Sequence, residues 1–222
     1  MITVLALALA AGSAGEIETE GEILAGLLSG LWSNAAQYEA ADAALKRPPA
    51  PGHPYDWLDV QHARFVPVDT PHIPGDAVYL EWRSGGPDGP VSRQRLWVFH
   101  SEIRDEDSPL VGMDFYAFRN PDMFDGRTGW SDFTDLTLDE LIGYPEDCRL
   151  APVSREDGVT VLEVDDIACV ITAQSGRQMG INARIAISFG RIEYSESGRL
   201  DDGSYAFKVP GAGAYEFDRI FN

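Results

Sequence analysis

Between Ala77 and Phe99 the chain reads AVYLEWRSGGPDGPVSRQRLWVF, two strand-like runs joined by a turn rich in Gly, Pro and Asp. That is the pattern of a β-hairpin. Successive strand side chains point to opposite faces, so Val78, Leu80 and Trp82 share one face of the first run and Tyr79, Glu81 and Arg83 the other. In the second run Leu96 and Val98 share a face, and Arg93, Arg95, Trp97 and Phe99 share the opposite one. Matching apolar to apolar sets Leu80 across from Leu96 and Trp82 across from Gln94. The same register brings Glu81 opposite Arg95 and Arg83 opposite Arg93. One face of the hairpin is then aliphatic and needs a cover, from an N-terminal helix or a second subunit. The other is charged and aromatic.

Upstream, Glu22–Leu45 carries apolar residues at helical spacing and is rich in Ala, which predicts one or two amphipathic helices. The prolines of KRPPAPGHP end them. His62–Val68 is a first strand, with Pro67 marking a strand end or an edge, and Met113–Phe118 another. Thr137 and Glu140 have capping-box spacing, which predicts a short helix to Ile142 that stops at Gly143. Strand runs follow at Val159–Val164, Ile167–Ala173, Ile181–Phe189, Ile192–Tyr194, Tyr205–Val209 and Ala214–Ile220. Short strands with Gly-, Asp- and Ser-rich turns and no long helix between them predict a mainly β, antiparallel barrel in a single domain over 15–222. An N-terminal helix and one short helix complete it.

The 222 residues carry a net charge of −19, which argues against nucleic-acid or anionic-membrane partners. Lys46 and Lys208 are the only lysines, so the positive charge is almost all guanidinium, suited to fixed carboxylate contacts or, equally, a solvated surface. Met1–Ala14 is an apolar run ending in small residues before the acidic GEIETEGE, and reads as a signal-peptide core. It is too short to span a bilayer as a helix. Export to the periplasm or the extracellular space follows, where Cys148 and Cys169 would bridge. If the run is instead a buried strand or helix, the chain stays cytoplasmic and the cysteines reduced. Neither Cys has a neighbour at metal-ligand spacing, and His53, His62, His72 and His100 show none either, so no metal site is expected.

The order of several pieces resembles the CpcT/CpeT family of phycobiliprotein chromophore lyases. The pieces are LWSNAAQYE after the leading helix, VYLEW, SRQRLWVF, YPEDC with a second Cys downstream, and a closing Gly-x-x-x-Tyr-x-Phe-x-Arg pattern at Gly211–Arg219. The resemblance spans Gly30 to Ile220. It implies a calycin-like barrel, commonly dimeric, that binds a linear tetrapyrrole (bilin) and, in a true lyase, attaches it to a cysteine of an acceptor protein. No cofactor is required beyond the bilin as ligand or substrate. Ser92 stands where the family has a tyrosine before the Arg pair, and Trp82 where it has a glutamine.

In that reading Arg93 and Arg95 each take a carboxylate in fork geometry, Tyr79, Trp97 and Phe99 form the walls, and Glu81 orients a guanidinium or protonates a pyrrolic nitrogen. If the chain is an enzyme, the resemblance implies a thioether-forming bilin lyase. From the residues alone, Glu81, Arg93 and Arg95 fit equally a cross-strand ion pair on a solvated face. The chain would then be an exported structural or interaction barrel with neither ligand nor catalysis.

Overall fold

The computed structural model describes residues 18–48, 57–102, 107–124, 130–172 and 176–221. The apolar leader Met1–Ala14 lies outside them. Helix α1 (Glu20–Leu28) opens on a capping box: Thr19 Oγ1 accepts from the Glu22 amide at 3.0 Å, and the Thr19 amide donates to the Glu22 carboxylate at 2.7 Å. The one or two helices expected over Glu22–Leu45 are two, with a strand between them. Gly30 takes φ +125°, a conformation open to glycine, and turns the chain into strand β1 (Gly30–Ser33) before a second short helix, α2 (Ala35–Ala40). Trp32 is fully buried, and its indole N–H donates to the Leu28 carbonyl at 2.7 Å, satisfying one of the acceptors that a helix end leaves open.

Strands β2 (Gln61–Val68), β3 (Asp76–Ser84), β4 (Val91–Ser101), β5 (Leu110–Phe118) and β6 (Leu141–Gly143) follow. Then come β7 (Ala151–Glu156), β8 (Val159–Val164), β9 (Val170–Thr172), β10 (Gln178–Ile187), β11 (Arg191–Leu200), β12 (Tyr205–Val209) and β13 (Tyr215–Ile220). They form one curled antiparallel sheet in the order β6-β5-β4-β3-β2-β1-β13-β11-β10-β8-β7, with β12 on β11 and β9 on β10. The expected mainly β barrel is present. Its seam is joined by a single bridge, in which Met113 and Leu150 exchange backbone hydrogen bonds of 2.9 and 3.0 Å. The short helix expected after Thr137 is one 3₁₀ turn, Leu138–Glu140, with its capping box formed, and Leu141–Gly143 goes straight into the sheet as β6.

The hairpin β3–β4 forms, but its register differs by one residue from apolar matching. Leu80 lies opposite Arg95, Trp82 opposite Arg93, Tyr79 opposite Leu96 and Glu81 opposite Gln94. A bulge between Trp82 and Arg83 supplies the odd residue, and a one-residue shift exchanges the partners of every side chain. Val78, Leu80 and Trp82 therefore share the barrel interior with Trp97 and Phe99, while Leu96 and Val98 lie outside with Tyr79. The five residues expected on one aliphatic face are thus split between two cores. The outer one is covered by Phe124, Phe133, Leu136 and Leu141 from the segment between β5 and β6, and α1 packs Leu24 and Leu28 into the inner one.

Two of the pieces that carry the family resemblance are joints of this frame. Asn34 donates to the Asp59 carbonyl at 2.8 Å and accepts from the Gln61 amide at 2.7 Å, tying α2 to β2. Gln37 donates to the Ala214 carbonyl at 2.7 Å and accepts from the Glu216 amide at 3.0 Å, tying α2 to β13. Arg219 reaches the Leu27 and Ser29 carbonyls and places its guanidinium 4.4 Å from the centre of the Trp32 ring, so a cation closes the C-terminal end of α1. Cys148 and Cys169 form a disulfide, fastening the turn before Leu150 to the segment leading into β9.

Candidate functional site

Strand alternation carries Tyr194, Glu196 and Gly198 of β11 into the barrel, where Tyr194 and Glu196 meet Arg93 of β4. The Arg93 guanidinium donates to the Tyr194 hydroxyl at 2.6 Å and to Glu196 Oε2 at 2.8 Å, and the Tyr194 hydroxyl donates to the same carboxylate at 2.7 Å. Tyr144, between β6 and Cys148, adds a longer contact of 3.4 Å to Glu196 Oε1. The side chains of Arg93 and Glu196 are 14% and 7% exposed, so this is a buried ion pair and no surface bridge. Aromatic rings enclose it: Arg93 lies 5.1 Å from the Trp82 ring centre, and Trp97 stacks on Tyr194 at 5.9 Å.

Burial alone would raise the Glu196 carboxyl, but the Arg93 charge and the Tyr194 hydrogen bond outweigh it and hold the group below its ordinary value. Burial likewise disfavours the Arg93 guanidinium. Tyr194 and Glu196 more than offset that and raise its pKa. Tyr194 is pushed up by burial and by Glu196, and Tyr144 for the same reasons to about 12. Every member is locked in one protonation state near neutrality: cation, carboxylate and two neutral phenols.

Arg95 is different. It shares the inner face with Arg93, yet no carboxylate among the described residues lies within 4.0 Å of it. Its Nη1 donates to the Gln94 carbonyl at 2.7 Å, and burial together with the neighbouring Arg93 charge lowers its pKa. It is a half-buried cation with no direct ion pair, and Glu196 acts on it only from beyond that distance.

Tyr79 and Glu81 are not part of this cluster. Both face outward, where Tyr79 packs 5.0 Å from Phe133 and 5.9 Å from Phe118, and donates to Glu81 at 3.2 Å. Glu81 takes its ion pair from Arg83 Nε at 2.7 Å. The expected juxtaposition of Glu81 with Arg95 fails for the reason the register gives, the bulge at Trp82 and Arg83. Trp97 and Phe99 do share the arginine face, fully inside the core. Sequence reasoning missed Tyr144, Tyr194 and Glu196. Extending the Ile192–Tyr194 run by alternation through Glu196 would have found two of them. Among the described residues no group of His, Cys, Asp and Glu is arranged to hold a metal ion, and no helix is long and apolar enough to cross a membrane.

The frame and its seam define a mainly β, antiparallel barrel. It is similar to the solved structure of the CRL protein of Arabidopsis, with a TM-score of 0.63 over 90% of this chain and 97% of that one, at 13% identity. At that identity the likeness is one of fold. No family model and no curated protein matches the chain.

Proposed function

We propose that the chain is a ligand-binding barrel for a conjugated organic anion, with an open-chain tetrapyrrole as the model ligand, and that it forms no covalent bond with it. The observation that carries this reading is Arg95, a half-buried guanidinium on the same face as Trp97 with no ion pair within 4.0 Å among the described residues. Desolvating a guanidinium without an anion is costly unless something arrives to pair it. Of the two arginines expected to hold carboxylates, Arg93 already has Glu196, so its role is to position and Arg95 is the ligand-facing group. The reading stops at binding because Glu81, the residue expected to protonate a pyrrolic nitrogen, lies on the opposite face from Arg95. The apolar leader and the disulfide support a periplasmic or extracellular protein.

The test is an absorbance titration with biliverdin. A saturable change in the visible band is expected, and Arg95→Ala should weaken it about tenfold by removing one charge-assisted contact. Equal affinity in that variant, or no saturable change, sinks the proposal. A second reading then takes over, favoured by the rings of Trp82, Trp97, Phe115, Tyr194 and Phe217 that pack the interior. It is a barrel filled by its own side chains, acting as an interaction domain, with Phe189 and Phe221 exposed on its surface.

A further inference from the structure

A cleft of about 390 Å³ lies on the outer side of β1, β2 and β3, away from the arginines of the interior. Leu31 and Ile220, cross-strand partners of β1 and β13 and both more than a third exposed, give it an apolar wall. The facing wall is polar and comes from β2 and β3: His62, Arg64, Glu81 and Arg83.

Their partners are unevenly assigned. Glu81 stands directly across from Arg64 in the β2–β3 register, yet its carboxylate is taken by Arg83 at 2.7 Å and by the Tyr79 hydroxyl at 3.2 Å. Arg64 makes no ion pair within 4.0 Å among the described residues. His62 has its Nδ1 shielded from solvent with no hydrogen-bond partner, and its Nε2 reaches Ser33 Oγ only at 3.5 Å. Burial lowers the His62 pKa, so the ring is neutral at neutral pH. Asp88, on the exposed turn after β3, is the one opposing charge at the lip, and it pairs with neither guanidinium.

We infer that this cleft is a second binding site, for an amphiphilic carboxylate whose head group pairs with Arg64 and whose apolar chain lies along Leu31 and Ile220. The size is within the range of small-ligand sites, roughly 300–1,000 Å³. An apolar wall facing a single uncommitted guanidinium selects a molecule with one anionic end.

The probe is sodium octanoate, titrated into the full chain by calorimetry and by the imidazole proton resonances of His62. Saturable binding with movement of the His62 signals is expected. Arg64→Ala should weaken it about tenfold. Asp88→Asn should tighten it about twofold by removing the opposing charge. Arg95→Ala should leave it unchanged, which separates this site from the interior one. The inference is overturned if 1-octanol binds as well as octanoate, if Arg64→Ala retains full affinity, or if no saturable binding occurs. Loss of binding in Arg95→Ala with Arg64→Ala intact overturns it in favour of the interior cluster.

Discussion

Replacing Glu196 by Ala leaves the Arg93 guanidinium buried among Trp82, Trp97 and Tyr194 with no anion. The variant loses the 2.8 Å ion pair, the 2.7 Å bond from Tyr194 and the 3.4 Å contact from Tyr144, while the desolvation of Arg93 stays. Breaking a buried pair from one side costs about 3–5 kcal/mol, a large part of a total stability of about 5–15 kcal/mol. With a urea slope of about 3 kcal/mol per M, the unfolding midpoint should fall by about 1–1.7 M, read by tryptophan fluorescence because Trp82 adjoins the pair. Glu196→Gln keeps the shape and an acceptor, and should fall between the two. Exchanging the pair together with the hydroxyl that bridges it, Arg93→Met with Glu196→Leu and Tyr194→Phe, removes both the stranded charge and the orphaned hydroxyl and should return to within about 1 kcal/mol of the native protein. If Glu196→Ala moves the midpoint by less than about 0.3 M, or if the triple exchange is as damaging as the single one, the pair is solvated and the account of the interior is wrong. The pH dependence has a fixed sign. The folded carboxyl lies below its ordinary 4.5, so its stabilisation is full above that value and disappears as pH falls through the depressed one.

The Cys148–Cys169 disulfide closes a loop of sequence separation 21, for which chain entropy gives about 3 kcal/mol. The Cys148→Ser, Cys169→Ser protein should melt roughly 6–12 °C lower, and an unchanged melting temperature would count against the bond. Asp114 is held down to about 2, since His100 and Arg149 together outweigh the upward push of burial. Its stabilisation is present above pH 3.8 and lost as pH falls toward about 2. Urea midpoints of the native protein should fall across that window, and those of Asp114→Asn should fall less, by on the order of 2 kcal/mol.

Both runs of the central hairpin were legible as strands, and so were most strands after β6, because their Val, Ile and aromatic content is bounded by turn residues. Its register was not. Ala77–Trp82 and Leu96–Phe99 are buried on both faces, so a rule that matches apolar to apolar has no solvent side to fix it. The cover of the outer face, Phe124 and Phe133, comes from a stretch with no regular period. Glu196 was hidden for a different reason. The Ser195–Gly198 stretch has turn composition, yet it continues as strand because Gly198 leaves room that the Phe207 ring and Met179 sulfur occupy, each within 2.5 Å of where a Cβ would stand. Trp32 was assigned to a helix by its Leu-rich, Ala-rich neighbours, and only pairing with β2 and β13 makes it a strand residue. The exposed β7 offered no apolar signal.

The closure of α1 by Arg219 has a consequence for biosynthesis. The guanidinium that fastens the helix end is separated by 190 positions from Ser29, and β1 lacks one of its two neighbours until β13 exists. At roughly 5–20 residues per second a ribosome needs on the order of 10–40 s to cover that distance. During that interval the Trp32 ring and one edge of β1 wait without cover, so the N-terminal module cannot mature as the chain emerges. It folds when the distant strand arrives, which makes completion of the barrel a late event, and one in which a holding chaperone has something to hold.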